Sequence, residues 1–127
     1  MTSQPAARQA LILGTSLLAL AVLIGAFGAH GLKALVTPER LVTFETGVRY
    51  HFYHAFGILA LSLLQPVFGL RTSVPLYAFL AGILLFSFNC YFYVLTDLKV
   101  FAMIVPVGGV LFVVGWVALA VAALKLR

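Results

Sequence analysis

The sequence predicts an all-α integral membrane protein, an antiparallel four-transmembrane-helix bundle with a short interfacial helical lead-in to the second helix. Three observations carry this. Of 127 residues, 64% are hydrophobic and 9% charged, with a mean hydropathy of +1.16. Soluble domains carry about 25% charged residues, so this chain cannot clothe a water-facing surface. Four apolar runs cover residues of about 10–29, 47–68, 75–96 and 101–124. Each is close to the ~20 residues that cross a hydrocarbon core, where helices satisfy their own backbone groups. The third observation is the shortness of the breaks between runs, which makes the helices antiparallel neighbours within a single membrane domain covering 1–127.

The first run follows Arg8 and is longer than the ~7–15 residues of a signal-peptide core, so a retained span is expected. It ends in Gly25-Ala26-Phe27-Gly28-Ala29-His30-Gly31. Ala21, Gly25, Gly28 and Ala29 are candidate packing positions, because small residues let helices approach closely in lipid. His30 falls where this helix unwinds, and its favoured role is a cation that complements the helix dipole.

Thr37-Pro38-Glu39 reads as a helix start, with Thr as N-cap, Pro at the first position and Glu in the first turn. Residues 38–46 then form the interfacial lead-in, on which Glu45 and Arg49 are spaced to pair. In the second run Gly47, His51, His54, Ile58, Leu61 and Gln65 share one face at about 100° per residue. Its polar members must point into the bundle. Pro66 and Gly69 stop this helix, and Thr72 or Ser73 caps the third. The third run carries Gly82, Phe86, Asn89, Tyr93 and Thr96 on one line. After a turn at Asp97-Leu98-Lys99, the fourth carries Pro106, then Gly108, Gly109 and Gly115 as packing positions. Antiparallel order puts His30, His51, His54, Asn89, Tyr93 and the two glycines in one leaflet, opposite the termini. A polar cluster is expected there.

Charge narrows the function classes. The net charge is +5, but the eight cations are dispersed at or between the apolar runs. That pattern flanks membrane spans and makes no nucleic-acid-binding stripe. Four Lys/Arg fall on each side of the membrane, and termini in the cytoplasm are expected. Cys90 is the only cysteine, so no internal disulfide can form. His30, His51 and His54 form the only conceivable metal set. No carboxylate shares their face, so no metal or other cofactor is expected. Ser87 and Cys90 lack a defined base, and no phosphate-binding loop exists, so an enzyme is not expected.

At residues 25–32 (GAFGAHGL), 37–53 (TPERLVTFETGVRYHFY) continuing to His54-Ala55, and Gly108-Gly109 with Gly115-Trp116, the chain resembles a family. This is the YgdD, YwdK and transmembrane-protein-256-like family of small membrane proteins. The resemblance covers nearly the whole chain and implies four spans, with no agreed activity and no catalytic residues. The chain departs from the family pattern at Phe88-Asn89, where a Gly-Ser pair is usual, and at Val105-Pro106, where Thr-Pro is usual. The expected function is an accessory, scaffold or interaction subunit of a larger bacterial inner-membrane assembly, itself able to homo-oligomerise. The alternative is a small-molecule, lipid or metal-ion binding or transport protein that uses His30, His51, His54, Asn89 and Tyr93.

Overall fold

Four helices long and apolar enough to cross a membrane build the molecule, seen in a computed structural model that describes residues 3–127. Helix α1 is Ser3–His30, α2 is Pro38–Phe68, α3 is Ser73–Thr96 and α4 is Lys99–Leu124. The 31-residue α2 has no break where the lead-in was expected. At 1.5 Å per residue it is about 46 Å long, against a hydrocarbon core of about 30 Å. The excess length leaves room for residues 38–46 as the helical lead-in, which runs without a break into the span. The Thr37 side chain accepts from the Arg40 N–H at 3.3 Å, with Pro38 in the first turn. Gly69 ends α2 in the left-handed region at φ 66°, its N–H donating to the Gln65 carbonyl. Thr72 precedes α3 without capping it through its side chain.

Helix α3 is not regular. Its middle, Ile83–Ser87, is a wide π-helical turn in which the Phe88 N–H reaches back five residues to the Ile83 carbonyl. Such a turn adds one residue to the helix and shifts every later side chain around the axis. The Asn89 side-chain amide donates to the carbonyls of Leu84 and Leu85, both at 3.1 Å. It thus satisfies acceptors that the irregular turn leaves short of partners. Asp97 ends α3 in the left-handed region at φ 60°, with its N–H bonded to the Tyr93 carbonyl.

The helices pack in sequence. α1 lies along α2, α2 meets α3, and α3 lies along α4. The arrangement is open, and α1 pairs extensively only with α2 among the described residues. Half of the most apolar stretch of α3 is buried, against 17% in α1 and α4, whose outer faces are left to lipid. Two apolar clusters fill the interior. One gathers Ile58, Leu61, Phe79, Ile83 and Phe112. The other gathers Leu32, Phe44, Tyr91 and Val94 at the end nearer the 31–37 loop. Phe88 packs against both.

Close approach between helices depends on glycine at a few crossings. A Cβ on Gly14 would sit 2.8 Å from the Leu59 nitrogen of α2. On Gly47 it would sit 2.8 Å from Cys90 Cβ of α3, and on Gly108 it would meet the Phe86 nitrogen at 2.3 Å. A side chain at any of these would force the helices apart. The Arg40 guanidinium of α2 adds a polar tie by donating to the Val94 carbonyl near the end of α3. Its Nε lies 4.0 Å from Asp97 Oδ1.

Candidate functional site

The polar residues buried within the spans are His51, His54 and Ser62 of α2 and Ser87 and Asn89 of α3. His51 and His54 are three residues apart on the inward face of α2, yet they turn to different neighbours. His54 is directed at α4. Its Nδ1 lies 2.8 Å from the Tyr50 carbonyl one turn back, an acceptor only, so Nδ1 carries the proton. Nε2 is then an acceptor, and it receives the Trp116 indole N–H at 3.0 Å. The ring lies flat on Phe112, with centroids 3.5 Å apart and planes 6° apart. Both nitrogens of His54 are thereby engaged by the protein itself, which leaves no lone pair for a metal or a proton and no N–H for another acceptor. Trp116 serves two media, with its ring partly exposed to lipid and its N–H turned inward.

His51 is directed at α3. Its Nδ1 lies 2.9 Å from the Tyr91 hydroxyl, and Phe88 packs edge-on against the ring. Nε2 of this fully buried ring has no partner in hydrogen-bond geometry, although the Leu17 backbone of α1 lies on that side. Ser87 Oγ is also buried and unpaired. None of the described cavities is lined by His51. His54 borders a lateral groove of about 470 Å³ with Tyr50, Tyr53, Phe86, Phe112 and Trp116.

Several sequence-based expectations need correction. His30 is exposed at the end of α1, and the three histidines are not gathered into a metal-binding group. Tyr93 is only partly buried and makes no side-chain hydrogen bond, whereas Tyr91 partners His51. The cause is the wide turn. A regular helix continued from Phe79 and Ile83 would present 86, 90 and 93, but the added residue buries Ser87, Tyr91 and Val94 beside Cys90, which still abuts Gly47. Asn89 is buried but bonds within its own helix. Glu45 and Arg49 do not pair, since Arg49 donates to Thr46 at 3.2 Å and Arg40–Asp97 is the one ion pair among the described residues.

Among the small residues, Ala21 is fully buried, Gly25 faces Val48 and Gly28 lies under the Phe44 ring. Ala29 points outward, because the face of α1 turned to α2 runs through Ala10, Gly14, Ala21 and Gly28. Gly115 abuts Phe79, but Gly109 is open enough that a Cβ would rest 3.7 Å from Phe86. Sequence reasoning missed Gly14, Tyr91 and the role of Trp116. For Trp116 a signal existed, since an indole N–H in a span needs an acceptor and His54 lies on the facing side.

The family described as "Protein of unknown function (DUF423)" matches residues 24–109, which include His51, His54 and Tyr91 and stop short of Trp116. The chain belongs to this family. The chain is similar to the UPF0382 membrane protein YwdK of Bacillus subtilis, 40% identical over 117 residues, with 91% of this chain and 95% of the relative covered. A UPF0382 membrane protein of Staphylococcus aureus, SAB0533, is 36% identical with 91% and 94% covered. One from Staphylococcus saprophyticus, SSP2132, is 34% identical with 91% and 97% covered. No solved structure matches the chain. This family's membrane character agrees with the four apolar helices, and the relatives' names carry no activity.

Proposed function

We propose that the protein is a non-enzymatic accessory subunit of the bacterial inner membrane, one that presents helix faces to a larger membrane assembly or to further copies of itself. The observation that carries this reading is that three of the four ring nitrogens of the buried histidines are taken up by the protein's own groups. His54 is engaged on both nitrogens and His51 is held by Tyr91, so the chemistry-bearing groups hold helices together. The open arrangement supports it further, because α1 and α4 each keep an outer face free for lipid or partner. Termini in the cytoplasm are part of the same reading.

The test is purification from native membranes in a mild detergent, followed by mass spectrometry of co-purifying proteins and elemental analysis. A stoichiometric membrane partner or a stable homo-oligomer, with no metal, supports the accessory role. A monomer that carries stoichiometric zinc or copper refutes it.

A second reading is ligand binding in the aromatic groove beside His54. It is favoured by the six rings around that groove, which suit a flat apolar ligand. It predicts that Tyr53→Ala lowers ligand retention without changing the oligomeric state.

A further inference from the structure

We propose that a second groove, between α1 and α2, holds a phospholipid with a primary-amine headgroup, with Arg49 on the phosphate and Glu45 on the ammonium. This goes beyond the accessory role and can fail or succeed independently of it. The groove encloses about 310 Å³, with Gly25, Gly28 and Ala29 of α1 on one side and Phe44 and Val48 of α2 on the other. Glu45 and Arg49 are its charged lining residues.

Depth is the first argument. Gly28 faces Phe44 and Gly25 faces Val48, so Glu45 and Arg49 are level with the last turns of α1. That is within about two helical turns of the end of a span, where acyl chains meet headgroups. A charge at this depth is costly unless something answers it.

The second argument is that the protein does not answer either charge. Both side chains are exposed, and Glu45 makes no ion pair among the described residues. Arg49 uses a single nitrogen, on the Thr46 hydroxyl. The rest of its planar fork of donors is free and matches phosphate oxygens. A carboxylate four residues away, with Cβ atoms about 6 Å apart, matches an ammonium joined to that phosphate by two carbons. The apolar floor over Gly25 and Gly28 takes the start of an acyl chain.

Headgroup selectivity follows. A trimethylated ammonium has no N–H for Glu45 to accept. A glycerol headgroup has no cation, so it leaves the carboxylate facing an anionic lipid.

The test is native mass spectrometry of the delipidated protein in mild detergent. Phosphatidylethanolamine, phosphatidylcholine and phosphatidylglycerol with matched chains are titrated in separately. Ethanolamine lipid should be retained roughly tenfold more tightly than choline lipid, the value of one charge-assisted hydrogen bond. Glu45→Gln should erase that preference, and Arg49→Gln should weaken retention of all three lipids. Ala29→Phe, which fills the groove from an exposed position, should abolish all three adducts. Equal retention of ethanolamine and choline lipids by the unmodified protein overturns the proposal without recourse to any variant. So does a preference that survives Glu45→Gln, or a groove occupied by a second copy that lipid does not displace.

Discussion

Gly108 and Gly109 are neighbours in α4, and replacing each with alanine separates close packing from helix propensity. Both changes gain the same ~0.5–1 kcal/mol of helix propensity. They differ in what the new methyl meets. At Gly108 it would lie 2.3 Å from the Phe86 nitrogen and 2.7 Å from the Leu85 carbonyl carbon, which are backbone atoms of the wide turn in α3. Relief requires a displacement of about 1 Å at a packed crossing. At Gly109 the nearest atoms are ring carbons of Phe86 at 3.7 and 3.8 Å, an ordinary contact. Overpacking typically costs ~1–3 kcal/mol, and the upper end applies here because backbone cannot rotate away. Gly108→Ala is therefore expected to be ~2–3 kcal/mol less stable than Gly109→Ala, a gap in melting temperature of roughly 10 °C for a chain of this size. Thermal melts followed by circular dichroism in one detergent measure the difference directly. Equal melting temperatures, or a lower one for Gly109→Ala, would refute the crossing geometry.

Three further outcomes are expected. Trp116→Phe and His54→Phe should be non-additive in unfolding free energy by ~0.5–1.5 kcal/mol, and strict additivity would count against the indole–imidazole bond. Tyr91→Phe should cost ~1–2 kcal/mol by stripping His51 of its partner, whereas Tyr93→Phe should stay within ~0.5 kcal/mol. The reverse ranking would mean that α3 is regular. Asp97→Gly should raise the melting temperature, because it relieves a left-handed residue at a cost of only a long contact between the exposed Asp97 carboxylate and the half-buried Arg40, and Asp97→Ala should lower it.

Local signals made the helix ends readable. Thr37-Pro38 and Gly69 act through groups within one turn of themselves, and the structure uses them so. The inward face of α2 was readable because an uninterrupted helix keeps its 100° step from Gly47 to Leu61. The same arithmetic failed in α3, since nothing in Ile83-Leu84-Leu85-Phe86-Ser87 distinguishes a wide turn from a regular one. That turn packs against Gly108 and is bonded by Asn89 two residues later, and both contacts are tertiary or near it. The choice between Gly28 and Ala29 hung on the phase of α1. The step from Gly25 to Ala29 suggested one phase, whereas Gly14, Ala21 and Gly28 repeat every seven residues and set the other. His30 lies one residue beyond Ala29, so the same rotation carries it outward.

The sharing of Phe88 between the two apolar clusters has a mechanical meaning. The molecule is built in two storeys, stacked along the membrane normal and bolted through one benzyl group. Each storey can loosen on its own, so amide exchange should resolve two opening events instead of one. Shrinking that ring to alanine should loosen both storeys and widen the separation of the two opening events.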